Sequence, residues 1–197
     1  MVTEKNDEKE TINQAKNGDK SAFMKLVSKY NPRVLSTASR FGRDPEEVRD
    51  LAQDIFVELW QGLPGYNHSA PFEHWLSRVA TNRCLRYLRK NYIRRSLEVI
   101  GLVSHRDEKV DPIDDESVRV RNASEARDIL GLALRRLAPK DALAITLKEI
   151  EGRTIAEIAR DTGWSQGSVK VRTHRARQKL RSILEDMGID EATFKSY

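Results

Sequence analysis

The sequence predicts an all-α protein of two small helical domains joined by a flexible acidic linker. Three observations carry that prediction. Apolar residues recur at three- and four-residue steps, and no alternation is long enough to make a trusted strand. Capping residues and prolines stand just ahead of the periodic stretches. The periodicity then fails once, over residues 96–123, where "RDEKVDPIDDES" packs six acids, two bases and a proline together. The boundaries are therefore placed at 10–95 for the first domain, 96–123 for the linker and 124–186 for the second.

In the first domain, Asp19 caps a helix whose apolar positions are Ala22, Phe23, Leu26, Val27 and Tyr30. Pro32 suits the first turn of a separate helix carrying Val34, Leu35, Ala38 and Phe41, ended by Gly42. In "DPEEVRDLAQDIFVELW", Asp44 is the N-cap, Pro45 the first helical residue and Glu47 the partner in a capping box. Val48, Leu51, Ala52, Ile55, Phe56, Leu59 and Trp60 follow on one stripe. "GLPGYNHSAP" breaks that helix with two glycines and two prolines, and a long helix is expected over 72–95. Its apolar side is Trp75, Leu76, Val79, Ala80, Cys84 and Leu88, with Trp75 assigned to the core. "LEVIGLV" reads as a short strand without an evident partner.

In the second domain a helix carries Ile129, Leu130, Leu132, Ala133 and Leu137. Pro139 opens the next and Gly152 closes it. Thr154 and Glu157 form another capping box ahead of Ile155, Ile158 and Ala159. Gly163 makes a turn, and Ser165 caps a last helix that runs to about residue 184.

The 197 residues are 39% hydrophobic and 33% charged, with a formal net charge of +5. The distribution of charge says more than the total. Residues 75–97 hold seven Lys/Arg and no acid, and residues 162–184 hold six and no acid. Two concentrated basic patches on a net acidic remainder are two footprints for a polyanion. Cys84 is the sole cysteine, which excludes an intramolecular disulfide and a thiolate metal cluster within the chain and suits a reducing cytoplasm. The polar start lacks the apolar core of a secretory signal, and no run reaches the length of a membrane span. His68, His74, His105 and His174 are scattered, and no phosphate loop or nucleophile motif is present. Neither an enzyme nor a metal or cofactor is expected.

"GWSQGSVKVRTHRARQKL" (163–180) concentrates the argument. A short capped helix, a glycine turn and a second helix with an acid-free basic face make the helix-turn-helix pattern. A carboxylate on that face would oppose phosphate oxygens in a groove. An ordinary helical hairpin with a solvated basic face usually carries some Glu for i,i+4 pairing, and this one carries none.

"DLAQDIFVELW", "FEHWLSRVATNRCLRYLRK" and "LRRLAPKDALAITLKEIEGRTIAEIARDTGWSQGSVKVRTHRARQKL", in this order, resemble the bacterial extracytoplasmic-function group of the sigma-70 family. The resemblance implies a cytoplasmic subunit that binds RNA polymerase core and directs promoter-specific initiation, in many cases held by an anti-sigma partner. It implies polymerase docking through Asp50, Gln53 and Asp54, which fall off the apolar stripe. It implies opening and reading of the downstream promoter element by a loop and a helix. The matching residues are Tyr66, Asn67 and His68, then Arg78, Asn82, Arg83, Arg86, Tyr87, Arg89 and Lys90. Many relatives have an acid where Arg86 stands, so this patch is expected to be more basic. The resemblance also implies major-groove reading of the upstream element by Lys170, Val171, His174 and Arg175. Ser165, Gln166 and Ser168 lie at that helix's start, Arg172 and Arg177 are assigned to phosphate or helix packing, and Arg153 to a phosphate clamp. The acids of the linker, Asp111, Asp114, Asp115 and Glu116, would stand in for RNA phosphates on the polymerase, or serve as a soluble tether. Two other readings stay open: a dimeric helix-turn-helix repressor or activator, and a nuclease.

Overall fold

The computed structural model describes residues 2–99 and 123–189. Among them every regular element is helical, and two compact units are present, the first consisting mainly of residues up to Arg86. The proposed strand at 97–103 is helical as far as Val99, and its remainder, with the whole acidic stretch, lies outside the described residues.

The first unit begins with α1 (Val2–Lys16), which sequence reasoning did not anticipate. Only Ile12 and Ala15 of its described side chains are buried, so its apolar signal is faint. Next comes α2 (Lys20–Ala38), capped by Asp19, whose carboxylate accepts from the backbone N–H groups of Ser21 and Ala22. The expected break at Pro32 does not occur, and the helix passes straight through it. Ala22, Leu26, Tyr30, Val34 and Ala38, each four residues on, are all buried. That continuous ridge of packing offsets the roughly 3 kcal/mol an internal proline costs.

The following helix, α3 (Pro45–Gly62), has Asp44 as N-cap, accepting from the N–H groups of Glu46 and Glu47. The capping box is altered: Glu47 accepts from the backbone N–H of Arg43, not from that of Asp44, and also pairs with the Arg43 guanidinium. Gly42 is required just before, because a Cβ there would lie 2.7 Å from Cγ2 of Val48. Leu51, Ile55 and Leu59 are buried on α3. A single 3-10 turn (Leu63–Gly65) and a loop lead into α4 (Phe72–Val99), where Phe72, Leu76, Ala80 and Cys84 are buried at the same four-residue spacing.

The second unit contains α5 (Ala123–Arg135), α6 (Pro139–Ile145) extended by a π-helical turn (Thr146–Ile150), α7 (Ile155–Thr162) and α8 (Gln166–Asp186). Ile129 and Ala133 of α5, Ala142 and Ile145 of α6, and Ala176 and Ile183 of α8 share one core. The Thr154–Glu157 capping box is complete. Gly163 has φ 73°, and its N–H donates to the carbonyl of Ala159. That left-handed residue turns the chain between α7 and α8.

Candidate nucleic-acid and polymerase interfaces

On α8 the cap is the Ser165 hydroxyl, which accepts from the N–H of Ser168 at 3.1 Å. Val169, Thr173 and Ala176 face inward, so the opposite side of the helix is free. Gln166, Lys170, Val171, His174 and Arg175 are exposed on it, Val171 at 50%. The flanking arginines are engaged. Arg172 lies 5.1 Å over the Trp164 ring and pairs with Asp141 at 3.1 Å, which ties α6, the turn and α8 together. Arg177 pairs with Glu149 at 2.6 Å while staying mostly exposed. Arg153, expected to clamp a phosphate, is instead 15% exposed at its side chain and pairs with Glu151 at 2.7 Å.

The basic stretch of α4 is arranged differently. Arg83 pairs with both Asp54 and Glu58 of α3, and Arg86 pairs with Glu58. The expected extra basicity at Arg86 is thus offset by an acid from the neighbouring helix. Arg78, Arg89 and Lys90 remain exposed. Asn82 and Tyr87 are half-buried, and the Asn82 amide donates to the carbonyl of Arg78. Trp75 does not sink into the core. With Glu58, Arg78, Val79, Asn82 and Arg86 it lines a recess of about 270 Å³.

In the loop ahead of α4, Tyr66 is 5% exposed and gives no free stacking face. Its ring packs on Phe72 and Trp75, and its hydroxyl donates to the carbonyl of Ala70 at 2.7 Å. Burial, then the charge of Glu8, pushes its phenol pKa up. Asn67 is exposed, and its side chain accepts from the N–H of Ser69. His68 has φ 57°, its ring lies 4.7 Å from that of Tyr66, and its Nε2 is 2.9 Å from Oδ1 of Asn13. Slight burial, then the charges of Lys16 and Lys9, hold its pKa below the usual histidine value.

On α3, Asp50 and Gln53 are exposed, whereas Asp54 shares its carboxylate with Arg83. Sequence reasoning missed an open apolar groove of about 780 Å³ between α2 and α3. Phe23, Met24, Val57 and Trp60 line it, and Gln53 and Arg49 stand on its wall. The signal was available: Met24 and Val57 fall off the buried stripes of their helices and are 60% and 45% exposed.

Among the described residues no helix is long and apolar enough to cross a membrane. No group of three or more His, Cys, Asp or Glu among them could hold a metal ion.

Two family models match this architecture. Sigma-70 region 2 matches residues 26–92, and Sigma-70, region 4, matches residues 127–180. The ECF RNA polymerase sigma factor SigW of Bacillus subtilis is 28% identical over 184 residues, covering 91% of this chain and 97% of that protein. The RNA polymerase sigma factor CnrH of Cupriavidus metallidurans is 29% identical over 181 residues, covering 87% and 91%. Among solved structures, CnrH in complex with the cytosolic domain of CnrY superposes with a TM-score of 0.57 at 27% identity, covering 89% of this chain and 96% of that one. The chain belongs to the sigma-70 family, in its extracytoplasmic-function group.

Proposed function

We propose that the chain acts as a promoter-reading subunit of RNA polymerase in the bacterial cytoplasm, with the polymerase core supplying the catalysis. The observation that carries the reading is the α8 face. Lys170, Val171, His174 and Arg175 are exposed side by side behind a left-handed glycine turn, with no ion pair among the described residues. Such a helix enters the major groove, where an arginine donates two hydrogen bonds to guanine and a valine meets a thymine methyl. The loop ahead of α4 and α4 itself take the downstream element. Asn67 and His68 in the loop, with Arg78, Asn82, Arg86, Arg89 and Lys90 on α4, receive the unpaired strand, and the Trp75–Val79 recess takes an unstacked base. Arg83 serves this surface from behind, as the link to α3. Asp50 and Gln53 dock on polymerase, with the adjoining apolar groove inside the same footprint. A regulatory protein partner of the anti-sigma type fits the solved complex of CnrH with the cytosolic domain of CnrY.

The test is a gel-shift and transcription titration with purified core and promoter fragments. Promoter-specific binding is expected only with core present, falling steeply with salt. A single helix-turn-helix module buries little surface, and opening a duplex costs stacking energy the free chain does not recover. Tight, sequence-specific duplex binding by the chain alone, as a dimer on paired half-sites, would replace this reading with that of a repressor.

A further inference from the structure

The region 2 match begins at residue 26, so α1 lies outside it. Yet α1 touches the loop that reads downstream DNA under the function proposed above. Asn13 and Lys16 stand one turn apart on α1. Lys16 donates from Nζ to the carbonyl oxygen of Tyr66 at 2.5 Å. Oδ1 of Asn13 is 2.9 Å from Nε2 of His68. The next positions round the helix, Ile12 and Ala15, are buried. One turn earlier, Glu8 accepts from the Tyr30 hydroxyl at 2.5 Å and from Nζ of Lys29 at 2.7 Å, which fastens α1 to α2. One set of α1 side chains therefore grips the unit and another grips the loop.

The loop needs such a grip. His68 occupies the left-handed region without being a glycine, a conformation that persists only where neighbours over-determine it. Tyr66 fixes the inner end of the loop by burial and by its bond to Ala70. From α1, Lys16 holds the loop at the Tyr66 carbonyl and Asn13 holds it at His68. A lysine ordered on a backbone carbonyl loses much rotamer freedom, so it is an expensive way to add stability alone. Its value lies in fixing where that carbonyl, and the next two side chains, point.

We propose that α1 is a positioning element for downstream-promoter reading, with Asn13 and Lys16 holding residues 66–71 in the shape that presents Asn67 and His68 to the unpaired strand. This rests on the function proposed above.

The test uses polymerase holoenzyme reconstituted with the full chain carrying Asn13→Ala, Lys16→Met or Lys16→Arg. Each is given a promoter library randomised across the downstream element, in duplex form and with that element pre-opened by mismatches. Lys16→Met is expected to slow open-complex formation on duplex by about tenfold, the scale of one charge-assisted hydrogen bond, and Asn13→Ala by about fivefold, that of a neutral one. They should also flatten base preference at the positions the loop reads, on both templates. Lys16→Arg should restore both, and upstream preference and core affinity should stay at wild-type values. Base preference is read only from complexes that form, so a partly unfolded variant still reports. An unchanged downstream preference in Asn13→Ala and Lys16→Met, or activity lost in proportion to folded protein, would make α1 a stability element and overturn the proposal. Absence of promoter selection by the wild-type holoenzyme would instead remove the functional reading, and the proposal with it.

Discussion

The basic faces of α4 and α8 look alike in the sequence and differ in the fold. Each is an acid-free run of lysines and arginines. On α4 residues 75–97 hold no acid of their own, but acids arrive from α3, where Asp54 and Glu58 take Arg83 and Arg86. On α8 the acids Asp141 and Glu149 take only the flanking Arg172 and Arg177. The central Lys170, His174 and Arg175 stay unpaired among the described residues. A free cation and a paired one do different work. The first is available to a phosphate or a base at once, whereas the second must exchange partners and recovers only the difference. Under the proposed function, the upstream-reading surface is thus preformed, and the downstream one is partly held in reserve.

The largest expected effect falls on α3, where free and paired acids stand one turn apart. Asp50→Lys with Gln53→Ala should weaken association with core by roughly thirtyfold or more, the scale of an interface hot spot. Circular dichroism should stay unchanged, because both side chains are exposed. Asp54→Ala should weaken docking too, but it also leaves Arg83 with Glu58 alone, which Arg86 shares, so binding to single-stranded downstream DNA should rise modestly. If Asp54→Ala lowers that binding as well, Arg83 is not held in reserve.

Next in size is the contrast between Arg175 and Arg86. Arg175→Ala should cost about 1–3 kcal/mol and relax preference at one base pair of the upstream element. Arg86→Ala should cost less, because Glu58 already offsets part of its charge. Equal losses in a competition assay over promoter variants would erase the distinction between the two faces. Glu58→Gln sharpens it from the other side. Freeing Arg86, while Arg83 keeps Asp54, should tighten single-strand binding and steepen its salt dependence by about 0.7 per phosphate gained.

The second unit was largely legible in the sequence because its signals are local. The Thr154–Glu157 box, the Gly163 turn and the Ser165 cap each lie within four residues of their partners, and all three form as read. The failures in the first unit are tertiary. Pro32 is a local stop signal overruled by a ridge of buried side chains on either side of it. α1 carries too few apolar residues to announce itself and is stabilised by Glu8 reaching α2. Tyr66, matched by the family resemblance to the downstream-reading loop, is claimed by Phe72 and Trp75. Arg83 was assigned to DNA because its acids come from α3, beyond the basic stretch; Arg153, in the second unit, was assigned to a phosphate although Glu151 stands two residues before it. Position along a helix tells which way a side chain points, but not which neighbour is waiting there.

The smallest expected effect is that acid should unpair a cation in the first unit and leave α8 untouched. Burial works to raise the pKa of Glu8, but the hydrogen bonds from Lys29 and Tyr30, with the charge of Lys29, hold it below the usual carboxylate range. A carboxyl that binds its proton less readily when folded stabilises the fold above its unfolded pKa of about 4.3. That stability is lost as pH falls from there through the lower folded value. The Lys29–Glu8 pair is partly exposed and screened by solvent, so only a modest local change is expected. Amide exchange should therefore quicken along α1 as pH drops below about 4.3, relative to the intrinsic exchange rate at each pH. Glu8→Gln should start from weaker protection and lose that pH dependence, and protection in α8 should be the same in both proteins. If acid loosens α1 equally in wild type and in Glu8→Gln, the helix is held by its other contacts, and its charged tie to α2 is idle.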